Sequence, residues 1–97
     1  MAAPRIFRYR IPVDDFPVVD MPVGAEVLTV AASADDTTLL DMWAVVDPAA
    51  PVERRAFRVV GTGNPMPDDC GRYVGTAVTG AVQVNARPVW HVFEAKA

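Results

Sequence analysis

Apolar and polar residues alternate through most of this chain with a period of two, the repeat of strands that bury one face. In Arg5–Ile11, Phe7, Tyr9 and Ile11 point one way while Arg8 and Arg10 point the other. Pro12 closes that strand because it has no N–H for a ladder. Phe16–Met21 reads as a weaker second strand, placed at an edge by Pro17. The turn Pro22-Val23-Gly24 leads into a third strand, Ala25–Ala32, and predicts a hairpin between the second and third strands. Leu39–Val46 is the fourth strand and Val52–Gly61 the fifth. Between them Asp47–Pro51 leaves room for one helical turn capped by Asp47. In the fifth strand Phe57 and Val59 are expected to face in, and Glu53, Arg54 and Arg58 to face water. Arg72–Val78 is the sixth strand, with pairing that could continue through Ala81–Val84. A turn at Asn85–Pro88 then precedes the last strand, Val89–Glu94.

No segment sustains a 3.6-residue apolar period, so little helix is expected. Six or seven short strands, with turn residues between them, define an all-β protein. The architecture is a small antiparallel β-sandwich or a partly open barrel, forming a single domain over residues 1–97. One feature does not fit an isolated sandwich. In the fourth strand Leu40, Met42, Ala44 and Val46 share one face, and Leu39, Trp43 and Val45 the other, with Asp41 the only charge. The last strand is apolar on both faces too. A second apolar face needs cover, and another copy of the chain would provide it, so a homo-oligomer is expected.

Composition narrows the function. The chain is 52% hydrophobic and carries a net charge of −3, which does not suit a nucleic-acid binder. One cysteine, Cys70, rules out an intrachain disulfide and a cysteine-based zinc site within one chain. Arginines interrupt the apolar runs of the first ten residues, and no run is long enough to cross a membrane as a helix, so a cytoplasmic setting is expected. No cofactor is implied.

The densest turn chemistry lies in Ala56–Thr76, AFRVVGTGNPMPDDCGRYVGT. Consecutive amides at a glycine-containing turn can form a concave anion site, and Thr62 and Asn64 add side-chain donors. Gly61, Thr62, Gly63 and Asn64, with Arg58 and Arg72 nearby, are therefore the candidate ligand-binding residues. The turn lacks the lysine and the following helix of a phosphate-binding loop. Asp68 and Asp69 offer too few oxygens for a metal, and a local Asp–Arg pair accounts for them. Cys70, placed in this loop, sits beside two aspartates that oppose thiolate formation. His91 stands in an apolar strand beside Trp90 and Phe93, where a packed histidine with a backbone partner is the simpler state. No catalytic and no metal-ligating set emerges.

Several segments together resemble a known family. They are the Arg5–Tyr9 start, Met21–Ala25 followed by VLTV, MWAVVD, AFRVVGTGNP, YVGT and the closing WHVFE. In this order they resemble a family of small uncharacterised proteins of tailed bacteriophages and prophages, across about Arg5 to Glu94. The resemblance carries no catalytic residues. It implies a phage accessory protein in the cytoplasm of a bacterial host. Taken with the two-faced apolar strands, the glycine turn and arginines such as Arg8, Arg10 and Arg58, the expectation is a non-enzymatic homo-oligomer that binds a host protein or a small anionic ligand such as a signalling nucleotide, in counter-defence. The alternative is a structural, virion-associated β-sandwich module with no ligand.

Overall fold

The computed structural model describes residues 3–80 and 88–96. The pairing expected at Ala81–Val84 and most of the Asn85–Pro88 turn lie outside the described residues. Seven strands follow one another: β1 (Arg5–Pro12), β2 (Val18–Pro22), β3 (Glu26–Ala32), β4 (Leu39–Val46), β5 (Val52–Gly61), β6 (Cys70–Val78) and β7 (Val89–Ala95). They form two antiparallel sheets, β1-β4-β3 and β2-β5-β7-β6, packed as a small all-β sandwich. No helix occurs among the described residues. Asp47–Ala50 is a turn, closed by Ala50 N–H donating to the Asp47 carbonyl and Ala49 N–H to the Asp47 carboxylate.

The predicted hairpin between β2 and β3 does not form. The turn itself is there: Ala25 N–H donates to the Pro22 carbonyl and Gly24 has φ +80°. It carries the chain from one sheet to the other, so β2 pairs with β5 and β3 pairs with β4. The reason is burial. Met21 and Val27 on either side of the turn are both fully buried, and an arch between layers sends both into the same core. Arg55 fastens this end: its Nε donates to Glu94 at 2.6 Å and its Nη1 to the Ala25 carbonyl at 3.0 Å.

Both strands that read as apolar on two faces are interior to their sheets, β4 between β1 and β3, β7 between β5 and β6. On the inner face of β4, Leu40, Met42, Ala44 and Val46 are buried against Phe57 and Val92 of the facing sheet. On its outer face Asp41 lies opposite Arg10 in register, 3.2 Å from Nε, with no N–H aimed at that oxygen. The layers approach most closely where β6 meets β3. A Cβ built on Gly75 would stand 3.0 Å from Val30 Cγ1 and 3.4 Å from Val30 N.

Candidate functional site

The outer face of the four-stranded sheet carries a connected set of polar side chains. Register decides which residues share it. Arg58 lies opposite Phe93, Val60 opposite His91, Tyr73 opposite Phe93 and Thr76 opposite His91. Strict alternation would put Tyr73 and Thr76 on opposite faces, since they are three residues apart. A register shift between Tyr73 and Gly75 inserts one extra residue, and both side chains emerge on the same side.

His91 is the hub. Its Nε2 is 2.7 Å from Thr62 Oγ1 and its Nδ1 is 3.0 Å from Thr76 Oγ1, which in turn is hydrogen-bonded to the Tyr73 hydroxyl. Hydroxyls donate or accept as needed, so each imidazole tautomer is satisfied. An imidazolium would donate to both threonines and leave the Thr62 and Tyr73 hydroxyls free to donate outward. The ring of Tyr73 packs on Phe93 with centroids 5.5 Å apart at 56°. The expected packed histidine is therefore held by side-chain hydroxyls rather than by the backbone.

The Gly61–Asn64 turn borders this chain. Asn64 N–H donates to the Gly61 carbonyl, Gly63 takes φ +90°, and Thr62 N–H donates to the Val89 carbonyl. Two amides of the predicted anion nest are thus already used, and the turn offers outward mainly its side chains and Gly63 N–H. Gly61 leaves little room for a side chain: a Cβ there would stand 2.8 Å from the Asn64 side-chain Nδ2, which can swing aside, and 3.1 Å from the Trp90 ring. Three shallow depressions converge here, and Gly61 and Asn64 line all three. One, of about 210 Å³, holds Thr62, Gly63, Met66, His91 and Phe93. A second, of about 280 Å³, is bounded by Asp15, Phe16, Pro65 and Pro67. The third, of about 410 Å³, is bounded by Pro88, Val89 and Trp90.

The other predicted residues fall differently. Arg58 does not face water: its side chain is 15% exposed, with the guanidinium forked onto Asp69 at 2.6 to 3.1 Å. It also donates to the Phe57 carbonyl and lies 4.9 Å over the Phe16 ring. Arg58 is a clamp that holds the Pro65–Asp69 loop to β5. The Asp–Arg pair expected in this loop forms, with Arg58 as partner in place of Arg72. Arg72 is exposed on β6, outside the residues that line the three depressions. Cys70 is not in the loop but is the half-buried first residue of β6, opposite Ala95. No group of three or more metal-ligating side chains occurs among the described residues. No helix among them is long and apolar enough to cross a membrane.

The clamp has a pH signature. Hydrogen bonds from Arg58 hold the Asp69 carboxyl below its ordinary value of 3.8. A depressed carboxyl stabilises the fold above its unfolded value and loses that contribution as the pH falls through the folded one. Asp69→Asn is expected to lower the melting temperature at neutral pH, with the gap to wild type closing below about pH 4. A gap unchanged down to pH 2 would remove Asp69 from acid unfolding.

Fold and site together define a small all-β sandwich with a histidine–hydroxyl chain on one outer face. Residues 3–97 match the family described as a domain of unknown function, DUF7352, and the chain belongs to that family. No curated protein and no solved structure matches it.

Proposed function

We propose that the protein is a non-enzymatic accessory protein that binds a small anionic ligand of the nucleotide class on the outer face of the four-stranded sheet. The observation that carries this reading is the Thr62–His91–Thr76–Tyr73 hydrogen-bonded chain, set beside an aromatic pair and an exposed methionine. The Thr62 and Tyr73 hydroxyls, held in place by His91, and Gly63 N–H are donors suited to a phosphate, and Tyr73, Phe93 and Met66 offer an apolar surface to a base. The net charge of −3 makes this local array, and not a general field, the source of affinity. Homo-oligomeric assembly, a bacterial cytosol and a phage counter-defence role belong to the same reading, and rest on the apolar outer faces and on the resemblance of the sequence motifs. What supports the non-enzymatic reading is the partner of His91: its Nδ1 meets the Thr76 hydroxyl and not an orienting carboxylate.

A thermal-shift screen with nucleoside monophosphates and cyclic dinucleotides, followed by calorimetric titration, tests the proposal. A ligand that raises the melting temperature of the wild type is expected to lose at least about tenfold in affinity with His91→Ala or Thr62→Val, as removal of a charge-assisted hydrogen bond implies. Binding that survives both substitutions places the ligand elsewhere. No shift with any nucleotide favours the virion-associated module instead.

A further inference from the structure

The outer face of the three-stranded sheet carries a second surface, unrelated to the histidine chain. Register places Ile6, Val45 and Glu26 in one row across β1, β4 and β3, and Arg8, Trp43 and Thr29 in the next. Ile6 is 61% exposed and Leu28, the extra residue of the β3 bulge, is 40% exposed. Trp43 and Val45 are half-buried between them. Arg8 and Glu26 flank this apolar centre on opposite edges, both exposed, and neither forms an ion pair among the described residues.

We infer that this face is the contact surface of a twofold symmetric dimer of the chain. The inference builds on the oligomeric part of the reading above and is independent of its ligand. A twofold axis lying in the interface and parallel to β4 sets β4 on β4 of the other copy, and β1 over its β3. Trp43 and Val45 then meet their counterparts at the axis. Arg8 comes to lie over Thr29 of the other copy, one row of about 7 Å from its Glu26 and within reach of a long side chain. The axis repeats that ion pair on the other side. Arg10 and Asp41 on this face are paired within the chain, and the two charges left without an ion pair among the described residues, an arginine on one edge and a glutamate on the other, complement each other across the axis.

The opposite sheet is a poorer fit for self-association. Arg58 there is already committed to Asp69, Arg54 faces Asp20 at 3.9 Å, and the Pro65–Asp69 loop is clamped onto it. Area sets the strength expected. Three strands about 4.8 Å apart and about 26 Å long cover roughly 14 by 26 Å. Over two partners, with side-chain relief, that is on the order of 1,000 Å², the small end of specific interfaces, so a weak, concentration-dependent dimer is expected.

Sedimentation velocity across roughly 1 to 500 µM reads this directly. The expected result is a concentration-dependent dimer, weakened at least about tenfold by Trp43→Lys and by Arg8→Glu, with the exchanged pair Arg8→Glu/Glu26→Arg recovering most of the loss. Arg8 is exposed, so its reversal leaves the fold intact and the comparison valid. A wild type that stays monomeric throughout overturns the inference. So does a dimer indifferent to both substitutions that dissociates with Phe16→Glu, in the bend before β2 that packs on Arg58 of the other sheet. Nucleotide titration of the Arg8→Glu monomer separates the two proposals: its binding bears on the histidine chain alone.

Discussion

Replacing Phe57 with alanine is expected to cost about 3–5 kcal/mol, a large share of the roughly 5–15 kcal/mol that holds a domain of this size together. Phe57 is the largest fully buried side chain among the described residues, and it sits on β5 where the two layers face each other. Its removal takes away apolar area and leaves a void that strands locked in two ladders cannot collapse to fill. Urea unfolding followed by tryptophan fluorescence measures the loss, and Phe57→Leu, which keeps most of the volume, should recover much of it. A cost below about 1 kcal/mol would mean that the layers do not pack on this ring.

Gly75→Val should be the second severe change, at about 1–3 kcal/mol, through overpacking rather than a void. The added Cβ would stand 3.0 Å from Val30 Cγ1, and the backbone nitrogen of Val30 lies only 3.4 Å away, so β6 and β3 must part. Combining it with Val30→Ala removes the nearer obstacle and should restore part of the loss, an interaction that a double-mutant cycle detects. Strictly additive costs would show that the two residues do not meet.

The strands were legible because one-sided burial imposes a period of two, and all seven fall within a residue or two of their expected bounds. Their partners were not legible. The Pro22–Ala25 turn has the same residues whether it closes a hairpin or crosses between layers; only the burial of both Met21 and Val27 decides, and burial is a property of the assembled molecule. Part of the candidate site was visible as the Gly61–Asn64 turn, since a residue at positive φ such as Gly63 leaves a mark in the sequence. Thr76 was hidden because it depends on an extra residue in β6, and bulges are set by the register of the neighbouring strand. Arg58 was misjudged as solvated because its partner, Asp69, is supplied by a loop folding back 11 residues later.

The arch at Pro22–Ala25 also governs the order in which the molecule can be built. Arg5 is matched to Val46 and Val18 to Ala56, so neither of the first two strands has a neighbour in its own sheet when it leaves the ribosome. The nascent chain must carry β1 and β2 unpaired until β4 and β5 have been made, and closing those long loops comes before any contact repays it. Pro12 and Pro17, which interrupt the amides of these early segments, limit what else could pair with them during that interval.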